Sequence, residues 1–219
     1  MRTLPLILAS AVALCGCGED DAAAVDAGVS CEQPAFVTLD EAYDVFTYEA
    51  SARADGSGAC SVAGALPRHT ITWDDASAAC AAEGWRLCTA AELRRACAGP
   101  QGNAFTWGNT FRGGVCNLRE AYTLPDGGGR AGPAPCGAFP DCVSAEGLHD
   151  LTGNLWEWVS DAPPSDPAGH IYQGAGWKTI AQMHHDENQA CDAQSTLVAA
   201  FATTYADDHV GFRCCRDAR

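Results

Sequence analysis

Alternation of apolar and polar positions is clearest over residues 155–159. There Leu155, Glu157 and Val159 fall on one side of an extended chain, and Trp156 and Trp158 fall on the other. Gly153 and Asn154 supply turn chemistry immediately before it. Two earlier stretches also read as strands. One is FVTL at residues 36–39, and the other is residues 45–50, where Val45, Thr47 and Glu49 alternate with Phe46 and Tyr48. Two helices are predicted between these regions. The first has Thr72 as N-cap and Asp74 and Asp75 in the first turn, where the helix dipole favours carboxylates. Ala76, Ala79, Cys80 and Glu83 follow at helical spacing, and Gly84 is a natural stop. Its small residues would let it pack closely on a sheet. The second opens on the capping box Thr89 to Glu92 and runs through Leu93 and Cys97 to Gly99. Residues 54–59, 126–129 and 161–169 read as loops.

Composition narrows the class. The chain has 219 residues, 47% of them hydrophobic, enough for one domain with a sizeable core and a short appendage. A formal net charge of -15 argues against nucleic acid as a partner and against attraction to anionic lipid. Thirteen cysteines, with no CxxC spacing among them, imply a disulfide framework in an oxidising compartment. The N-terminus agrees. Met1 and Arg2 make a basic start, and residues 4–14 are apolar except for Pro5 and Ser10. This is a secretory signal too short to span a bilayer. Leu14, Cys15, Gly16 and Cys17 then resemble the lipobox of bacterial lipoproteins. Residues 1–16 are therefore expected to be a lipoprotein-type signal, with Cys17 lipidated. Residues 17–30, small and acidic, form a flexible tether, and residues 31–219 form the domain. The expected location is the bacterial cell envelope, anchored through lipid. Simple secretion with both early cysteines removed is the alternative.

The stretch GLHDLTGNLWEWVS at residues 147–160 resembles the G-(L/V)-x-(D/N)-(L/M/I)-x-G-N-x-W-E-W signature of the formylglycine-generating enzyme family, also called the sulfatase-modifying-factor domain. Other segments resemble the same family. They are Tyr48-Glu49-Ala50, Arg86-Leu87 with the Thr89 capping box, NAFTWG at 103–108, Cys116-Asn117-Leu118, residues 134–140, residues 172–177 and Val210-Gly211-Phe212-Arg213-Cys214. Gln173 and Ala175-Gly176 depart from the family's R-G-G-S-(W/Y) pattern. The resemblance covers roughly residues 36–216. It implies an α+β domain related to the C-type lectin fold, with two helices, short antiparallel strands, long loops and many disulfides.

The resemblance suggests bridges from Cys80 to Cys214 and from Cys97 to Cys191. Cys88 with Cys215 follows as the pair of immediate neighbours. Cys31 with Cys60 and Cys116 with Cys142 are expectations from order and loop placement. With Cys15 and Cys17 set aside, 13 − 2 = 11 cysteines remain, so one is left over, Cys136.

In the family's enzymes a cysteine pair after the G-G-S-(W/Y) strand binds copper and oxidises a substrate cysteine with oxygen. Copper(I) needs soft thiolates. The equivalent residues 178–190, KTIAQMHHDENQA, contain no cysteine, so that catalytic set does not carry over. Calcium fares better. Asp150 and Glu157 through side chains, and Gly153 and Leu155 through carbonyls, match the family's cation site at the signature and suit a hard cation. Asn117 and Leu118, with Asp126 and Gly128, match a second. The residues alone also allow a plainer reading, a buried core strand with one paired glutamate.

Three functions remain open. The first is a non-catalytic, lipid-anchored module whose loops bind a glycan or protein, with Trp107, Trp177 and Tyr172 as stacking aromatics if they are not core. The second is an enzyme of altered chemistry using His184, His185, Asp186 and Glu187, or Cys136. The third is a structural envelope protein crosslinked through its odd cysteine.

Overall fold

The computed structural model describes residues 30–118, 132–164, 166–177, 190–193 and 204–219. Helix α1 (Trp73–Ala82) begins where Thr72 turns extended backbone into a helix, its hydroxyl accepting the Asp75 N–H at 3.1 Å. It ends at Glu83, and Gly84 follows with φ +74°. Helix α2 (Ala90–Ala98) carries the full capping box. The Glu92 N–H reaches Thr89 Oγ1 at 3.1 Å, and the Thr89 N–H reaches Glu92 Oε2 at 2.8 Å.

Among the described residues are seven short strands: β1 (Phe36–Leu39), β2 (Tyr43–Phe46), β3 (Arg86–Leu87), β4 (Trp156–Trp158), β5 (Tyr172–Gln173), β6 (Val210–Phe212) and β7 (Cys214–Asp217). One antiparallel sheet runs β1-β2-β7-β3, and a second runs β5-β4-β6. This is the α+β, C type lectin-related architecture expected. Two local expectations change. The strand expected over residues 45–50 ends at Phe46; beyond it the Ala50 N–H bonds Phe212 O at 2.9 Å, reaching across to the other sheet. β4 and β6 also pair in parallel, with Glu157 opposite Gly211. A parallel pair needs a long crossover, and more than fifty residues of chain lie between these strands.

β4 positions the site because it faces two apolar layers. Trp156 and Trp158 pack with Phe46, Trp85, Tyr172, Phe212 and the small residues Ala76, Ala79 and Cys80 of α1. Val159 packs with Leu93, Ala96 and Cys97 of α2. Both indoles nearby find acceptors: Trp158 Nε1 donates to Ile71 O at 2.9 Å and Trp73 Nε1 to Val159 O at 2.7 Å. Disulfides join Cys31 to Cys60, Cys80 to Cys214, Cys88 to Cys215, Cys97 to Cys191 and Cys116 to Cys142. Two of these fix the start of β7, one to α1 and one to the residue that follows β3. Cys136 is a buried free thiol. Among the described residues no helix is long and apolar enough to cross a membrane.

Candidate functional site

The Gly-Asn turn before β4 is tightly seated. Asp150 and Asn154 adopt φ of +63° and +64°, and Gly153 has φ +128°. A Cβ on Gly153 would lie 3.0 Å from Cys116 Cβ and 3.1 Å from Asn117 O, so only glycine lets the turn rest on residues 116–118. Asparagine side chains lock that contact. The Asn154 N–H donates to Asn117 O at 2.8 Å, and Asn117 Nδ2 donates to Asn154 Oδ1 at 2.8 Å. The Asn154 amide then turns its Nδ2 to Glu49 Oε2, and the Leu155 N–H reaches Glu49 Oε1 at 2.9 Å. Asp150 Oδ2 accepts the Gly137 N–H at 2.7 Å.

Glu157 is already paired within the fold: both its oxygens face Arg213. Arg213 Nε lies 3.1 and 3.2 Å from the two oxygens, and Nη2 lies 2.9 Å from Oε1. Nη1 also donates to Phe46 O at 2.8 Å, and Nη2 to His149 O at 2.7 Å. Arg213 sits at the break between β6 and β7, where the chain passes from one sheet to the other. The plainer reading of a buried strand with one paired glutamate therefore describes Glu157.

Glu49, Asp150 and Glu157 are all buried around this one guanidinium. Three carboxylates against one guanidinium leave an excess of two negative charges when all are ionised. Burial pushes the Glu49 carboxyl well above its usual range, and the charges of Asp150 and Glu157 push it further. Burial raises Asp150 to about 7, against the Gly137 N–H and Arg213, which pull it down. Such a cluster either holds protons at neutral pH or takes a cation. Asn117 points the same way. It is fully buried, and its Oδ1 has no hydrogen-bond partner among the described residues, the state of a carbonyl oxygen suited to a hard ion. Asp150 and Asn117 are oxygen donors of the type calcium takes, while the Glu157 oxygens are shared with Arg213. Leu118 is buried beside Asn117.

Other expected residues separate. Asp126, Gly128, His184, His185, Asp186, Glu187 and Cys17 lie outside the described residues. Tyr172 is core, edge-on to both Trp156 and Trp158. Trp177 is half-buried and donates to Asp208 O at 3.2 Å. Trp107 stacks on Phe105 in a different loop, with Arg112 over its ring. Cys136 is buried, and burial raises its thiol well above the ordinary value; it is not placed to bridge a second molecule.

Glu49 and Arg213 are the site residues that sequence reasoning missed. Both stood inside quoted motifs, Tyr48-Glu49-Ala50 and Gly211-Phe212-Arg213-Cys214, but nothing local says that they meet.

With this geometry in place, comparison with known proteins adds the lineage. The sulfatase-modifying factor enzyme 1-like domain matches residues 27–218. The inactive C-alpha-formylglycine-generating enzyme 2 of Mus musculus is 35% identical over 161 residues, covering 70% of this chain and 50% of that protein. The formylglycine-generating enzyme of the same organism is 37% identical over 166 residues, covering 67% and 43%. The chain thus spans about half the length of the curated relatives it matches. PvdO from Pseudomonas aeruginosa superposes with a TM-score of 0.57 at 17% identity, covering 80% of each chain. Treponema denticola variable protein 1 gives 0.56 at 14% identity, covering 79% and 84%. These last two share the fold.

Proposed function

From the premise that this chain belongs to the sulfatase-modifying factor family, we propose that it is a non-catalytic, calcium-stabilised binding module of the bacterial envelope, anchored through Cys17, whose loops recognise a glycan or protein. The absence of thiols where the family's oxidation chemistry needs them carries this reading. Residues 178–190 contain no cysteine. From Cys31 onward ten cysteines are in five bridges, and the eleventh, Cys136, is buried. A copper(I) dithiolate has no donors there. The inactive relative in mouse supports the same reading by analogy, since its name describes a family member without the enzyme activity. Five disulfides suit an oxidising compartment outside the cytosol.

Calcium in this proposal binds at the buried acid cluster, through Asp150 and the carbonyls of Gly153 and Leu155 with Glu157 at its edge. A second ion would sit on Asn117 Oδ1 with Leu118. When bound, calcium supplies positive charge to a cluster of excess carboxylates and fixes the loops around it. Asp150 and Asn117 orient the turn; Glu157 holds Arg213.

The test uses the oxidised protein, supplied with copper(II) and oxygen, against a cysteine-containing peptide. No aldehyde should form, metal analysis should find calcium, and intact mass should show an acylated Cys17. Binding to a glycan or surface-protein array should then be saturable. Formation of aldehyde at a catalytic rate would overturn the reading.

A further inference from the structure

We infer that Asp207, Asp208 and His209 form a transition-metal site at the entry to β6, of the class that takes zinc. It goes beyond the proposed function and does not depend on calcium at the acid cluster. The three offer one ligand atom each, all within 4.8 Å of one another. His209 Nδ1 lies 2.8 Å from Asp207 Oδ1 and 3.7 Å from Asp208 Oδ1. Two donors each about 2.1 Å from a tetrahedral ion lie about 3.4 Å apart. Small side-chain rotations would bring this set onto one ion.

The backbone beneath the ligands is held by the core. Asp207 O accepts the Thr70 and Val210 N–H groups, each at 3.1 Å. Asp208 O accepts Trp177 Nε1 at 3.2 Å, and His209 O accepts the Trp156 N–H at 2.9 Å. The carboxylate of Asp207 is oriented as well, with the Asp208 N–H at 2.7 Å from Oδ1 and the Tyr205 hydroxyl at 3.4 Å from Oδ2. Ligands tied down before the ion arrives lose little freedom on binding it.

The imidazole decides the metal class. A nitrogen donor between two carboxylates favours zinc and its neighbours over calcium, which takes oxygen. Among the described residues three protein ligands come together, and all three side chains are partly open to solvent. A tetrahedral ion held by these three takes a fourth donor.

The test starts with the full chain stripped by chelator and titrated with cobalt(II). One cobalt per chain should bind, with visible ligand-field bands that zinc then erases. His209→Ala and Asp208→Asn should each lower cobalt affinity at least tenfold while the thermal midpoint and calcium response stay at wild type. The double variant His184→Ala, His185→Ala should bind as wild type. Absence of stoichiometric cobalt in the wild type would overturn the inference. Wild-type affinity in both His209→Ala and Asp208→Asn would do the same, leaving a plain histidine–aspartate hydrogen bond.

Discussion

Arg213 Nη2 and Glu157 Oε1 lie 2.9 Å apart, and neither side chain has more than 3% of its surface exposed. Together they tie the β6–β7 crossing to β4. Removing the guanidinium leaves Glu157, Asp150 and Glu49 buried with no positive charge among them. Arg213→Met should cost about 3–5 kcal/mol in urea unfolding of the oxidised protein. Glu157→Gln should cost less, because Asp150 and Glu49 still face the guanidinium. A loss below about 1 kcal/mol in Arg213→Met would mean the cluster is already neutralised by protons.

The same cluster sets an unusual pH dependence. Asp150 rises from 3.8 in an unperturbed chain to about 7 in the fold, so between those values the folded protein holds a proton that the unfolded chain releases. Its contribution to stability is full below about 4 and is lost as pH rises towards 7. Glu49 is shifted in the same direction. Glu92 works the opposite way: burial raises it, but Arg86 and the Thr89 cap together outweigh burial and hold it below its usual value. The comparison that isolates Asp150 is therefore wild type against Asp150→Asn, both in chelator, from pH 4.5 to 8. Wild type should lose more stability on going alkaline than the variant does. Calcium should remove the difference by replacing the proton. Identical pH curves would deny Asp150 this role.

Gly153 should be among the least replaceable small residues. At φ +128°, with Cys116 Cβ and Asn117 O within about 3 Å of any added carbon, alanine meets both backbone strain and a collision. Gly153→Ala should cost about 1–3 kcal/mol and weaken calcium stabilisation. Gly113→Ala is the control: nothing lies within 4 Å of the new carbon, and the change should stay within about 0.5 kcal/mol.

How far the sequence was legible depended on the range of each interaction. Thr72, Thr89 and Glu92 act on backbone three residues away, so the helix starts could be read directly from spacing. The alternation about Glu157 correctly set it opposite the tryptophans. Its partner Arg213, however, is 56 residues away in sequence, and the alternation says nothing of it. Glu49 reaches Leu155 across 106 residues, which no local period encodes. The parallel pairing of β4 with β6 escaped for the same reason. Tyr172 was ambiguous because an aromatic in a glycine-rich segment can serve a surface or a core; only its neighbours Trp156 and Trp158 decide.

Cys136 offers the last test, one of chemistry rather than stability. Its thiol is 2% exposed, and burial, then the charges of Glu49 and Asp150, hold it in the protonated form. Alkylation and disulfide exchange both proceed through the thiolate. In a Cys15→Ser, Cys17→Ser variant, native protein at pH 8 should resist iodoacetamide, and one thiol per chain should react once denaturant is added. The same sample should run as a monomer on a non-reducing gel. Native-state labelling as fast as a small-molecule thiol would place Cys136 within reach of solvent. It would also restore both thiol catalysis and crosslinking as functions for this chain.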